Sequence, residues 1–277
     1  NGSGGFPSNG LIQLYDRPIA LAAGDFNTDT YPDLVVAYNN SNKVVLHLND
    51  GLGSFSTSIS DANERTELSG VSSPRSLAVG DFNGDTHVDL VTTQSRSGVA
   101  SVYLGDGSGT LTWAQNRDFA SADNQFVDAV VGDINNDGLS DFAIGVLAES
   151  TNDGGIPEVN IVLNDGSGGL AATTQLRYDS TVPNKDNVNI VLGDFNNDEL
   201  TDMVVVIQLE DGSAIHAYQG HQNALPQLVQ TTGSQVGVYG AAVGDVDGDG
   251  IVDLVIAGDA TNTTSGFSVL YGQACQN

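Results

Sequence analysis

Three features of the sequence predict an all-β fold, a five-bladed β-propeller of four-stranded antiparallel blades. The chain has 277 residues, of which 39% are hydrophobic and only 16% charged, with 34 glycines. That balance supports a folded chain dense in turns and short strands. A phrase Gly-Asp-Phe-Asn recurs at Gly24–Asn27, Gly80–Asn83 and Gly193–Asn196, with variants at Gly132-Asp133-Ile134-Asn135 and Gly244-Asp245-Val246-Asp247. Its first aspartates are separated by 56, 52, 61 and 51 residues, too long for a short solenoid repeat and suited to a four-stranded blade. Finally, 33 residues run from Asp245 to the end and 24 precede Asp25, so the two termini together supply one further period.

Each unit reads as a meander. In the second, Ser76–Val79 is a short apolar strand, the Asp81 loop follows, Val88–Thr93 is β-branched, Val99–Leu104 makes a third strand and Leu111 begins a fourth. Gly105-Asp106-Gly107-Ser108-Gly109 turns the chain between the last two. The turn recurs as Asn49-Asp50-Gly51-Leu52-Gly53 and Asn164-Asp165-Gly166-Ser167-Gly168, and again at the N-terminus as Asn1-Gly2-Ser3-Gly4-Gly5. The strand that should precede this last copy, Phe267–Tyr271, sits near the C-terminus. Residues 6–14 are therefore expected to close a ring by completing the last blade, which would remove an open sheet edge. Residues 1–277 form one domain on this reading.

The five loops carry the chemistry. Oxygen-bearing side chains stand at positions 1, 3, 5 and 9: Asp25, Asn27, Asp29, Asp33; Asp81, Asn83, Asp85, Asp89; Asp133, Asn135, Asp137, Asp141; Asp194, Asn196, Asp198, Asp202; and Asp245, Asp247, Asp249, Asp253. Alternate oxygen donors in a tight loop can converge on one hard cation, and the position 7 carbonyl of Tyr31, His87, Leu139, Leu200 or Ile251 can add another. No nitrogen or sulfur side-chain donor intrudes, so calcium is the expected ion, about five in all, one per blade. A lone Asp-Asn-Asp run is commonplace in turns, but five in register point to metal. Position 12, where an EF-hand needs Glu, holds Val36, Thr92, Ile144, Val205 and Ile256 inside strands, so a helical calcium motif is ruled out.

With this loop pattern the chain resembles the FG-GAP (VCBS) repeats of integrin α-subunit propellers and of many bacterial extracellular proteins. The resemblance covers essentially the whole chain and implies a calcium-binding propeller, while leaving function open among adhesion heads, lectins and propellers attached to enzymes. The sequence departs from the ideal loop at position 6. Glycine is present there as Gly138 and Gly250 but is replaced by Thr30, Thr86 and Glu199. Those three loops must adopt another turn or bear strain, and the first and fourth are expected to fill less readily. The all-aspartate loop at Asp245 is expected to bind most strongly.

Charge and composition narrow the partners. A formal charge of -27, from 35 acidic against 8 basic residues, repels nucleic-acid phosphates and anionic membranes. Sixteen of those acids occupy loop positions, three in each of four loops and four in the fifth, and would repel one another without an ion. Metal would thus take the stabilising role that a lone Cys275 cannot supply through an internal disulfide. No apolar run reaches the ~18 residues of a membrane span, and without an opening signal peptide the chain reads as a mature or excised form. No nucleophile and base stand out: His47, His87, His216 and His221 fall at unrelated blade positions. The expectation is a non-catalytic, secreted or cell-surface binding module for an extracellular protein or carbohydrate, monomeric or one domain of a larger surface protein. The alternatives are a calcium-rigidified spacer and a lectin-like propeller attached to a polysaccharide-active enzyme. Loops on the face opposite the metal sites vary from blade to blade, as recognition loops do. Tyr15, Asp16 and Arg17 are the ligand-contact candidates there. Trp113, Tyr178 and Tyr239 offer aromatic surfaces, with packing between blades as their default role.

Overall fold

The structure, a computed structural model, describes residues 17–52, 54–55, 65–94, 98–119, 125–148, 156–166, 170–178, 187–209, 212–259 and 265–273. Among these, nineteen strands form five antiparallel sheets in chain order. Blade 1 holds β1 (Pro18–Gly24), β2 (Asp33–Tyr38), β3 (Lys43–His47) and β4 (Arg65–Glu67). Blade 2 holds β5 (Pro74–Gly80), β6 (Asp89–Gln94), β7 (Val99–Gly105) and β8 (Leu111–Asp118). Blade 3 holds β9 (Gln125–Gly132), β10 (Asp141–Ala148), β11 (Ile156–Asn164) and β12 (Leu170–Arg177). Blade 4 holds β13 (Val188–Gly193), β14 (Asp202–Leu209), β15 (Gly212–His221) and β16 (Ala224–Ser234). Blade 5 holds β17 (Gly240–Gly244), β18 (Asp253–Asp259) and β19 (Ser265–Leu270). Every sheet is a simple meander, and successive first strands β1, β5, β9, β13 and β17 adjoin one another, as in a propeller.

One register is repeated in all five sheets. The last glycine of the first strand faces the position 9 aspartate that opens the second: Gly24 with Asp33, Gly80 with Asp89, Gly132 with Asp141, Gly193 with Asp202 and Gly244 with Asp253. In blades 1 to 4 a side chain at this glycine would press on the next blade, whereas at Gly244 it would meet nothing within 4 Å. A Cβ on Gly80 would lie 2.6 Å from Val131 Cγ1, and one on Gly132 2.7 Å from Leu192 Cδ1.

The core lies between blades, because a half-buried sheet must cover both of its faces. Phe26, Val35 and Leu46 of blade 1 meet Leu77, Leu90 and Tyr103 of blade 2. Phe82 and Val102 of blade 2 meet Phe126 and Phe142 of blade 3, with Phe82 edge-on to Phe142 at 5.9 Å and 82°. Blade 3 meets blade 4 through Ile134, Ile161, Ile190 and Met203, and blade 4 meets blade 5 through Val204, Val206, Leu254 and Ile256. The apolar residue at position 2 of the first three loops is thus a wedge between blades, Phe26, Phe82 and Ile134 being buried, whereas Val246 of the fifth is exposed. Ile19 and Leu21 on β1 and Val243 and Phe267 in blade 5 are exposed. The proposed closing strand, residues 6–14, and Cys275 lie outside the described residues.

Candidate metal loops

All five loops sit at the same end of their sheets, between the first and second strands, and share one hydrogen-bond scheme. The position 1 carboxylate gathers the loop around itself. Asp25 accepts the amides of Asp29 at 3.1 Å and Thr30 at 2.8 Å; Asp133 accepts those of Asp137 and Gly138, each at 2.8 Å; Asp194 those of Asp198 and Glu199. Asp81 accepts from Gly84 and Thr86, and Asp245 from Gly248, Asp249 and Gly250. The position 5 carboxylate accepts the position 7 amide, as Asp29 does from Tyr31, Asp85 from His87, Asp137 from Leu139, Asp198 from Leu200 and Asp249 from Ile251.

This wrapping forces two left-handed residues into every loop. Position 4 has φ of +57° at Thr28, +75° at Gly84, +56° at Asn136, +59° at Asn197 and +82° at Gly248. Position 6 has +75° at Thr30, +71° at Thr86, +91° at Gly138, +68° at Glu199 and +88° at Gly250. Of the two outcomes expected for Thr30, Thr86 and Glu199, the structure selects strain: they keep the turn. The reason is the position 6 amide, which must reach the position 1 carboxylate whatever side chain it carries. The left-handed demand at position 4 was not foreseen from the sequence, although Gly and Asn predominate there.

The position 9 aspartates do something else as well. They are buried, and each splits its two oxygens between separate backbone amides. Asp33 accepts Phe26 N at 2.9 Å and Asn49 N at 2.8 Å; Asp89 accepts Phe82 N and Gly105 N, both at 2.7 Å. Asp141 accepts Ile134 N and Asn164 N, Asp202 accepts Phe195 N and Gly220 N, and Asp253 accepts Val246 N and Gly272 N. One carboxylate therefore ties the start of the loop to the end of the third strand in every blade. Burial raises the pKa of Asp33 and Asp202, and pushes Asp89 and Asp141 up to about 6.

The middle of the loop separates blade 5 from the rest. In blades 1 to 4 the position 3 asparagine donates Nδ2 to the position 5 carboxylate, at 2.8 Å from Asn27, Asn83 and Asn135 and 3.0 Å from Asn196. Asp247 has no amide to offer Asp249. Carboxylate oxygens of Asp245, Asp247 and Asp253 lie within 4.8 Å of one another. Three hard oxygen donors at that spacing fit a divalent cation of calcium's type. At position 7 the side chain, which the sequence left without a role, rests on the turn glycine of its own blade. A Cβ on Gly51 would come within 2.7 Å of Tyr31, one on Gly107 within 2.5 Å of His87, and one on Gly272 within 2.6 Å of Ile251.

The other singled-out residues scatter. Tyr15 and Asp16 lie outside the described residues, and Arg17 is exposed just before β1. Trp113, expected to pack between blades, is instead 52% exposed on the outer strand β8, its indole N–H donating to Asn116 at 3.0 Å. Tyr239 is also exposed, because it precedes β17 at the end of the blade run. Tyr178 does link blades, its hydroxyl 2.9 Å from that of Tyr218 and its ring 4.7 Å from His216.

Comparison with known proteins agrees with the loops. The family described as FG-GAP-like repeat matches residues 25–92, 81–144 and 194–256. A T-cell immunomodulatory protein homolog of Plasmodium yoelii yoelii is 39% identical over 75 residues, which is 25% of this chain and 11% of that protein. Among solved structures, a protein from Lactobacillus plantarum aligns over 96% of this chain and 88% of its own, with 12% identity and a TM-score of 0.47. The WD40 domain of SCAP from fission yeast aligns over 96% and 57%, with 13% identity and a TM-score of 0.48. A β-fructofuranosidase from Schwanniomyces occidentalis aligns over 91% and 55%, with 13% identity and a TM-score of 0.43. Since the repeat matches each begin at the first aspartate of a loop and together span more than half of the sequence, the chain belongs to the family of FG-GAP-like repeat proteins.

Proposed function

We propose that this propeller is a secreted, calcium-stabilised and non-catalytic recognition module, presenting loops to an extracellular protein or glycan. The observation that carries the reading is the common oxygen-lined geometry of five loops on one end of the blades. In each, backbone amides of the loop converge on the position 1 carboxylate, and blade 5 brings three carboxylates within 4.8 Å. The residues that would hold the ions are those named at positions 1, 3, 5 and 9, with the position 7 carbonyl. An ion there would neutralise clustered charge that otherwise opposes folding.

Ring closure belongs to the same proposal, with residues 6–14 pairing beside β19. Exposed Leu21 on β1 and Val243 and Phe267 in blade 5 are surfaces that closure would cover. Ligand recognition is assigned to the face opposite the metal loops, with Tyr15, Asp16 and Arg17 as contacts, because the metal loops are nearly uniform and committed to coordination. The test combines calorimetry with and without chelator, elemental analysis, and glycan-array and pull-down screens in both conditions. The expected result is a melting temperature that rises with calcium and a ligand captured by the calcium-loaded protein. An unchanged transition in excess chelator, with no metal retained, overturns the calcium role.

A further inference from the structure

Two of the five loops are bonded to each other. The loop of blade 3 is bonded to the loop of blade 4 through Asn136, which stands at position 4 and is itself no proposed ion ligand. Its Oδ1 accepts the amide of Thr201 at 2.7 Å, and its Nδ2 donates to the carbonyl of Thr201 at 3.4 Å. Thr201 is position 8 of the next loop, adjacent in sequence to Asp202, and Asn136 is adjacent to Asn135. A single side chain thus joins neighbours of a proposed ligand in one loop to neighbours of a proposed ligand in the other. Asn136 is buried, and its two hydrogen bonds to Thr201 are partly shielded from water.

A second connection reinforces the first. The turn of blade 4 donates back to loop 3, from Ala224 N to Asn135 O at 3.0 Å, from Asn223 N to Asn136 O at 3.4 Å, and from Gln222 Nε2 to Asn136 O. That turn follows Gly220, whose amide is held by Asp202 at 2.8 Å and whose Cα sits so close to the Thr201 carbonyl that a Cβ would come within 2.2 Å of it. Fixing Asn136 therefore fixes Thr201, the Asp202 carboxylate and the turn together.

We infer that Asn136 is a positioning residue through which an ion in loop 3 organises loop 4, so that the two sites fill cooperatively. This rests on the calcium reading above. Loop 3 carries Gly138 at position 6, whereas loop 4 carries left-handed Glu199, and ordering of the less strained loop removes part of the ordering cost of the more strained one. The matching position 4 residues Gly84 and Gly248 have no side chain with which to make such a link.

The test counts bound ions against free calcium by equilibrium dialysis, with the loop 4 ion identified by its loss in Asp194→Asn. Loop 3 is blocked by Asp133→Asn with Asp137→Asn, and the link is cut by Asn136→Gly, a change compatible with the φ of +56° and already found in loops 2 and 5. Blocking loop 3 is expected to raise the free calcium needed to half-fill loop 4 by at least about 5-fold, the lower end of ordinary coupling between sites. Asn136→Gly alone is expected to give part of that rise, and blocking loop 3 in that background to add less than it adds in the unaltered protein. If blocking loop 3 removes one ion and leaves the loop 4 midpoint in place, the sites are independent and the inference fails while the calcium reading stands. If Asn136→Gly shifts loop 4 equally with loop 3 intact or blocked, Asn136 is mere support and the inference also fails. Absence of any ion from both loops in the unaltered protein overturns the calcium reading and the coupling with it.

Discussion

Replacing Thr86 by glycine should stabilise the protein, although it removes a side chain and loosens the chain. Thr86 is β-branched and held at φ +71° because its amide must reach Asp81 Oδ2, 2.8 Å away. The left-handed conformation costs an L-residue roughly 1–2 kcal/mol, with β-branching at the upper end. Glycine escapes that cost but gives back about 0.4–1 kcal/mol through the greater freedom of the unfolded chain. The net gain is about 1 kcal/mol, or a rise of about 2–3 °C in melting temperature for a chain of this size. Thr30→Gly should behave alike, and Glu199→Gly should gain about half as much because Glu is unbranched. Gly138→Ala supplies the reverse experiment. A Cβ there meets nothing within 4 Å, so its cost isolates the backbone at φ +91° and should be about 0.5–1 kcal/mol of destabilisation. Thermal melts in excess chelator and in saturating calcium measure all four variants. A Thr86→Gly protein less stable than the parent, together with a neutral Gly138→Ala, would refute the left-handed requirement at position 6.

Three other outcomes follow from the same geometry. Asp89→Asn removes one of two acceptors that hold Phe82 N and Gly105 N; a buried amide left unpaired should cost about 1–3 kcal/mol even in chelator, measurable by urea unfolding. In chelator, Asp89 and Asp141 have carboxyls raised by burial to about 6, above the 3.8 of an unburied aspartate. Their folded form binds protons more tightly, so their stabilising contribution is full below about 4 and is lost as pH rises through about 6. The chelated protein should therefore melt higher at pH 5 than at pH 7, and saturating calcium should reverse the trend as protons compete with the ion; a flat chelated profile speaks against carboxyls raised by burial. Deleting residues 1–15 should expose the edge of β19 and produce self-association visible by light scattering; a truncated chain that stays monomeric and equally stable refutes the proposed closure.

The repeat, the meander and the loop positions were legible in the sequence because each blade spends the same residues on the same local tasks. An aspartate at position 1 gathers amides within a few residues of itself, and the spacing alone reveals it. The position 9 aspartate looked like one more ligand, yet Asp89 also holds Gly105, 16 residues further along the chain; that second bond exists only once three strands have paired. Position 4 followed the same rule, since the left-handed turn at Thr28 or Asn136 arises from the closure of the whole loop. Trp113 was misread because an outer strand offers its far face to water whatever the size of the side chain. Sequence alone determined which residues could surround an ion. Tertiary structure decided which loops communicate, because Asn136 and Thr201 are 65 residues apart and meet only when blade 4 stacks on blade 3.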